Sequence, residues 1–441
     1  MSDLLSIGYT GLRAYSKALS TVGDNIANAQ TPGYARRRLA LSEVPAGSNM
    51  VLYRGNVTPG GVDIKGVVRS VDQWLINDAR ISSGDSQRAS AKLDWMNRVE
   101  SALSDDTNGV KTALTKLYTT ADQLTADPSN PTLRAQFLQA ASDIAAGFQT
   151  AASRLSSLAD GVSGAATAEV SQFNTNLDAL EQINVGLRKA REGSTNQAAL
   201  LDERDRLLDQ LSSQAGVSAT FDTHGAVTLR ATGSGDLLVG GGVVTPIAMT
   251  TAADGRVSYT IGGAAFPNAT GSLAGFAEAS NHIADERSGL DTMATQFAAQ
   301  LNSAHQAGVD ANGNAGQPLF AGTSAATLTA TALTASQVAA ATPTATNGNM
   351  LTIGAMRGAN DPEATWSAHL ATQAQATASA RAQDAAATTR ADGAAAARDT
   401  VSEVNLDNEA AELLRFQQAY SAAARTIQVA RETMQTLLNS L

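Results

Sequence analysis

The side chains that could do chemistry are few. The imidazoles are His224, His282, His305 and His369, and there is no cysteine. Catalytic zinc takes its histidines as close pairs on one helix face, as in HExxH, and none of the four falls in such a pattern. They read as structural or solvent-exposed. Asp310-Ala311-Asn312-Gly313-Asn314 has the start of a calcium loop. The twelfth position, where such a loop needs a bidentate glutamate, is Ala321, so the stretch reads as a plain turn. Asp202, Glu203, Asp205 and Asp209 alternate with Arg204 and Arg206 at helical spacing. That pattern predicts a solvated, self-paired helix face. Gly240-Gly241-Gly242 follows a strand signal, but no GxGxxG or GxxxxGK[ST] accompanies it, so phosphate binding has no support. No GxSxG occurs, and nothing pairs a nucleophile with a base. The expectation is a protein that is not an enzyme, with no catalytic residues, no metal and no cofactor.

What the chain does carry is helical periodicity at both ends. Leu406, Leu413, Tyr420, Ile427, Met434 and Leu441 recur every seven residues, and Phe416, Ala423, Ala430 and Leu437 run beside them. A seven-residue repeat predicts a left-handed seam against another helix. Such a helix is roughly 50 Å long at about 1.5 Å per residue. Near the start, Leu5, Leu12, Leu19 and Ile26 are also seven apart, followed at three residues by Gly8, Tyr15, Val22 and Ala29. The two terminal helices are therefore expected to pair. Thr31-Pro32-Gly33 stops the first, because Pro cannot continue a helix and Gly supplies the turn.

Between the ends the pattern changes several times. Arg36 to Val44 reads as extended. Asn56 to Val68 reads as a turn at Pro59 followed by a short strand. Helical spacing then covers Val71 to Leu103, with a weak point at Ser82-Ser83-Gly84. Further helices are expected over Leu133–Leu158, Val170–Arg191 and Ala198–Gln214. From Val217 to Phe266, Gly and β-branched residues dominate, predicting one antiparallel β module of four to six strands. Helix returns over Leu273–Ala307. Thr323 to Leu351 carries weak strand signals near Ala325–Leu333 and Met350–Ile353. Asp361-Pro362-Glu363 starts an Ala-rich helix reaching about Ser402, with Gly393 as a point of interruption.

Composition narrows the partners. The chain has 441 residues, a net charge of −10, 43 % hydrophobic residues and only 4 % aromatic ones. Its apolar content is small and aliphatic, which suits close helix packing. The basic residues cluster only at Arg36-Arg37-Arg38, so nucleic acid is not an expected partner. No apolar run reaches the length of a membrane span, and no membrane insertion is expected. The first residues lack the basic and apolar regions of a Sec-type signal peptide.

Two stretches carry a resemblance. Leu19 to Tyr34 contains Asn25-Ile26-Ala27-Asn28 and Thr31-Pro32-Gly33-Tyr34, and resembles the NNIANxxTPGY motif at the N-terminus of bacterial flagellar rod, hook and hook-associated proteins. Asp24 stands where the first Asn is usual. Glu409 to Arg425, with Phe416-Gln417-Gln418-Ala419-Tyr420, resembles the C-terminal motif of the same axial proteins. Leu200 to Ser212, and Phe297 through His305 to Leu319-Phe320, are similar to the hook-associated protein 1 family in particular. Hook and distal rod proteins share the ends but not these helical stretches. A secreted surface adhesin with a binding β module is the alternative from another class.

The resemblance implies a secreted structural subunit at the hook–filament junction of the flagellum. It implies a ring of identical subunits, contacts with the hook protein and with the following junction protein, passage through the type III export apparatus, and an export chaperone on the C-terminal helix. The expected fold is mixed α and β, mainly α. Residues 1–40 with 404–441 would form a coiled-coil inner tube. Residues 41–215 with 270–403 would form a helical middle domain, and 216–269 a small outer β domain. The assembly seams would be Leu5, Leu12, Tyr15, Leu19, Val22 and Ile26 at one end. At the other they would be Leu406, Leu413, Phe416, Tyr420, Ile427, Met434, Leu437 and Leu441, which would also meet the chaperone.

Overall fold

The computed structural model describes residues 2–44, 60–104, 109–359 and 361–439. Helix α1 (Ser2–Ala27) leads into strands β1 (Arg37–Val44) and β2 (Gly61–Arg69). Helices α2 (Gln73–Leu103), α3 (Val110–Ala126), α4 (Pro131–Lys189) and α5 (Thr195–Gln214) follow. Strands β3 (Val217–Phe221), β4 (Val227–Ala231), β5 (Leu237–Gly240) and β6 (Val243–Val244) form an antiparallel sheet in that order. Strands β7 (Ile247–Thr251), β8 (Val257–Ile261) and β9 (Ala264–Ala265) form another. Helix α6 (Gly271–Gln306) is followed by the short pair β10 (Phe320–Ala321) and β11 (Thr329–Ala330). Helices α7 (Gly348–Ala359), α8 (Pro362–Ser402) and α9 (Leu406–Asn439) complete the described chain. The fold is mixed α and β, mainly α. No helix among the described residues is long and apolar enough to cross a membrane.

Contacts group the chain into two compact units. One comprises Met1–Asp85, Gln172–Pro246 and Thr388–Leu441; the other comprises Ser86–Ser171 and Ile247–Ala387. The unit boundaries therefore fall at 85, 171, 246 and 387, whereas the segments expected from sequence break at 40, 215, 269 and 403. The β-rich stretch is not one module. Its strands form two sheets, β3–β6 in the first unit and β7–β9 in the second. Alternating residues identify strands, but they do not reveal which strands share a ladder.

In the first unit α1 packs on α9 and on the β1–β2 hairpin. The hairpin pairs Arg37 with Arg69 and Val44 with Gly61, with an irregularity after Ala40. Near that irregularity Gly66 crosses Gly193 so closely that a Cβ on Gly66 would lie 2.5 Å from the Gly193 Cα. Val67 N–H donates to Gly193 O there at 2.8 Å. Only glycine at both positions allows the hairpin to meet the α4–α5 turn backbone to backbone. The expected turn at Pro59 and the strand start at Asn56 lie outside the described residues.

The second unit has a helical core. Phe148 meets Trp366 edge-on at 6.2 Å between centroids, and Phe297 meets Phe320 at 5.6 Å. Aromatic pairs in such orientations favour one packing over others. Several sequence expectations are corrected here. The two helices expected over Leu133–Leu158 and Val170–Arg191 are one, α4. Val162 and Ala166, in the expected gap, are fully buried. Gly161 leaves room for the Trp95 ring, which an added Cβ would meet at 3.0 Å. Burial of these neighbours outweighs the roughly 1 kcal/mol that a helical glycine costs. Likewise α2 runs through Ser82-Ser83-Gly84 and α8 through Gly393. Met350–Ile353 belongs to helix α7 and is not a strand, with Met350 and Ile353 fully buried. Ala325–Leu333 contains a single 3-10 turn, Ala325–Thr327, and the two-residue β11.

His305 is a buried structural histidine. Its Nδ1–H donates to Gln317 O at 2.5 Å, and its Nε2 accepts from Ala339 N–H at 2.9 Å. The second bond requires the neutral ring, because a protonated Nε2 could not accept. Burial holds its pKa below the ordinary 6.5, against the Gln317 carbonyl, which favours the charged form. The unfolded chain then binds a proton that the folded site refuses. His305 thus contributes stability that is complete above the unfolded pKa and declines as pH falls below it. Denaturant midpoints measured between about pH 7 and about pH 5 should fall for the natural chain. His305→Gln should be less stable at neutral pH but lose less on acidification. Parallel curves for the two proteins would refute this assignment.

Candidate assembly site at the paired termini

The centre of the first unit is a buried amide. Asn25 lies near the end of α1 and is 1 % exposed. Its Nδ2 donates to Arg37 O at 2.8 Å and to Glu409 Oε2 at 2.9 Å. Its Oδ1 accepts from Arg37 N–H at 3.0 Å and from the Tyr34 hydroxyl at 2.8 Å. Two donors and two acceptors are thus satisfied, leaving no desolvation cost uncompensated. The Thr31-Pro32-Gly33 turn is what brings Tyr34 and Arg37 back onto the helix that precedes them. Tyr34 N–H closes that turn on Thr31 O at 3.1 Å, and Gly33 adopts a left-handed φ of 78°. Burial pushes the Tyr34 hydroxyl up to about 12, against the pull of Arg37, so it stays a donor. The Arg37 guanidinium lies 4.6 Å above the Tyr34 ring.

Glu409 connects this motif to the other end of the chain. It is 1 % exposed, in the first turn of α9. Besides Asn25, it accepts from Arg36 Nε at 2.6 Å. An unpaired carboxylate this deep would be expelled or protonated; here it is paired and hydrogen-bonded. Beyond it the two helices run antiparallel. Tyr15 meets Phe416 at 6.5 Å between rings, Gly11 faces Ala423, and Gly8 faces Ile427. A Cβ on Gly8 would sit 2.7 Å from Ile427 Cγ1, so glycine sets the close approach.

The seam residues divide. Val22 is buried; Leu5, Leu12, Tyr15 and Leu19 are half-buried; Ile26 is exposed. On α9, Leu413, Phe416 and Ile427 are half-buried, whereas Leu406, Tyr420, Met434 and Leu437 are exposed. Leu441 lies outside the described residues. In the motif, Asn28 is half-buried and its Nδ2 donates to Asp24 O at 2.9 Å, satisfying the helix end. Ala27, Thr31, Pro32 and Gly33 are exposed and Tyr34 is half-buried. A second set of apolar side chains on α9 faces outward: Leu414 is 59 % exposed, Val429 60 % and Leu438 68 %. Leu4 and Tyr9 of α1 are exposed as well.

The acidic face of α5 is not solvated, contrary to expectation. Arg37 of β1 meets Asp202 at 2.5 Å, and Arg69 of β2 meets Asp202 and Asp205, both at 2.7 Å. Arg80 of α2 reaches Asp205 at 3.3 Å and Asp209 at 2.6 Å. Arg204 contacts Asp205 at 2.7 Å and stacks 4.3 Å above the Phe221 ring. Burial alone would raise the Asp205 pKa, but Arg204, Arg69 and Arg80 hold it below the usual carboxylate value. Of the expected self-pairs only Glu203–Arg206 is a half-exposed surface pair. The arginines arrive from three distant segments, so periodicity within α5 could not announce them. Beside this network a cleft of about 380 Å³ is lined by the Thr31–Tyr34 turn, Arg80, Asp209 and Arg398. Among the described residues no three His, Cys, Asp or Glu side chains are arranged to hold a metal ion.

Sequence reasoning left out Glu409, Arg36 and the arginine–aspartate network. Glu409 had a signal: it lies seven residues before Phe416, a charge in an apolar seam position. Removing the shared carboxylate takes one partner from Arg69 and Arg80 and the one carboxylate from the buried Arg204. Asp205→Ala is expected to lower unfolding free energy by about 3–5 kcal/mol. Glu203→Ala, losing only a surface pair, should change it by less than about 1 kcal/mol. Equal effects in urea unfolding would contradict the burial of this network.

Comparison with known proteins places the chain. The model of the flagellar hook-associated protein FlgK helical domain matches residues 96–320. The models of the flagellar basal body rod FlgEFG protein C-terminal and of the flagella basal body rod protein match residues 399–441 and 5–34. The flagellar hook-associated protein 1 of Escherichia coli K12 is 26 % identical over 333 residues, covering 73 % of this chain and 60 % of that protein. The chain thus spans about three fifths of the length of that relative. The flagellar hook-associated protein 1 of Bacillus subtilis 168 is 24 % identical over 490 residues, covering 98 % of this chain and 96 % of that one. The solved flagellar hook junction protein FlgK of Burkholderia pseudomallei superposes with a TM-score of 0.49 at 23 % identity, over 56 % of this chain and 46 % of that one. With half of its length matched by the helical-domain model, the chain belongs to the flagellar hook-associated protein FlgK family.

Proposed function

We propose that this protein is a structural, non-enzymatic subunit of the bacterial flagellum that joins hook to filament. The observation that carries the reading is the apolar surface left on the paired termini. After α1 and α9 have packed together, Leu406, Leu414, Val429 and Leu438 still face solvent. Large apolar side chains left exposed once a helix pair has formed are candidates for a further interface. A surface whose partner is another patch on an identical copy builds rings or helices. Residues 1–40 with 404–441 would then form the inner wall of that assembly. Its partners would be further copies in a ring, the hook protein below and the following junction protein above. Export through the type III apparatus, with a chaperone covering α9, would keep this surface from aggregating beforehand. Family membership supports the flagellar setting, and the match over 96–320 favours a hook-associated protein over a hook or distal rod protein.

Deletion of the gene should leave hooks without filaments under the electron microscope, with filament subunits released to the medium. Leu414→Asp isolates the assembly step. The side chain is 59 % exposed, so the substitution should change monomer stability by less than about 0.5 kcal/mol. It should nevertheless prevent filament growth when it replaces the natural gene. Leu413→Asp and Ile427→Asp should also block growth, but with disruption of the helix pair. Normal filaments in the Leu414→Asp strain would count decisively against the exposed face as the assembly surface.

A further inference from the structure

We infer that Glu409, held between Asn25 and Arg36, fixes the register of the terminal helix pair. The seams alone do not determine it. Counting by sevens from Glu409 gives Phe416, Ala423 and Ala430; counting back from Asn25 gives Ala18, Gly11 and Leu4. In the observed register Gly11 faces Ala423 and Asn25 faces Glu409. A slip of one heptad keeps apolar residues opposite small or apolar ones along most of the seam. It places Gly11 opposite Ala430 or Phe416. The polar positions are what a slip violates. It would set Asn25 against Phe416, or Glu409 against Ala18, with a buried carboxylate and a buried amide both unpartnered. A single polar residue in an apolar seam is known to select register at some expense of stability. Glu409 is a positioning residue in this sense, and Arg36 and the Tyr34 hydroxyl orient the two groups it joins. The competing explanation is that the short connection from α8 to α9 sets the register, through Arg36 N–H on Ser402 O at 2.8 Å.

The absence of cysteine makes a direct test available. A Cβ built on Gly11 lies 3.8 Å from the Ala423 Cβ, within the roughly 3.5–4.5 Å that a disulfide spans. Gly11→Cys/Ala423→Cys therefore reports the observed register. Gly11→Cys/Ala430→Cys and Gly11→Cys/Phe416→Cys report the two slips. Each pair is oxidised in the full-length chain at low concentration, and the linked peptides of the monomer are identified by mass spectrometry. In the otherwise natural sequence only the 11–423 link should form. Asn25→Leu/Glu409→Leu replaces both polar partners with apolar ones, so the helices can still pair without a stranded charge. In that background a slipped link should appear and the 11–423 link should weaken. Glu409→Gln in the otherwise natural sequence keeps an acceptor for Asn25 and should retain the 11–423 link alone. Retention of the 11–423 link alone in the double leucine variant would overturn the inference in favour of the α8–α9 connection. Loss of every link there would overturn it too, showing a clasp that holds the pair closed without choosing its register.

Discussion

The first unit depends on one buried carboxylate. Glu409 joins a C-terminal helix to an N-terminal one across most of the chain, and both ends of the contact are 1 % exposed. A buried charge is tolerated only where its partners are already in place. Each partner therefore has to be fixed independently. The Thr31–Gly33 turn returns the chain so that the Tyr34 hydroxyl and the Arg37 amide saturate the Asn25 oxygen. That leaves the Asn25 amide free to meet Glu409. Arg36, one residue before the hairpin, supplies the countercharge. The Asn25–Tyr34 motif is a folded receptor for one side chain of α9.

The arginine–aspartate network extends the same logic to the hairpin. Arg37 and Arg69 are paired residues at the base of β1 and β2, and both reach carboxylates on α5. Isolated, either charge would disfavour burial. Together they orient the hairpin against α5, while Gly66 and Gly193 let the two backbones touch at the other flank. Ion pairs of this kind add little net stability, since desolvation offsets most of the attraction. Their contribution is direction. A hairpin held only by apolar contacts could rock on α1, whereas one held by fixed charges cannot.

Much of this was legible in the sequence, for physical reasons that differ by element. The terminal helices were legible because a seven-residue repeat is a local pattern, and Thr31-Pro32-Gly33 an unambiguous stop. That α4 is one helix and not two was not legible, because what buries its middle around Gly161 is not local in sequence. Trp95 supplies the surroundings, and it lies far away in sequence. The acidic face of α5 looked solvated because its countercharges lie in β1, β2 and α2. Glu409 stands inside the C-terminal motif, where its type alone does not show a role. A charge in a seam position has meaning only once its partner is known. Local periodicity reports which face of a helix is apolar; it does not report how many partners that face must serve.

That last point governs α9. Leu413 and Leu414 are adjacent, so they project about 100° apart around the helix. The Leu413 side, with Phe416 and Ile427, is taken up by α1. The Leu414 side, with Val429, remains open. The two surfaces are not equivalent in time. The outer one belongs to a helix that α1 holds in place on its other side. It exists as a defined shape only after α1 and α9 have met in a single register. A slipped pair would present a different outer pattern, displaced by a heptad, about 10 Å along the helix. A single register inside each chain is therefore what gives every copy of the chain the same outer surface.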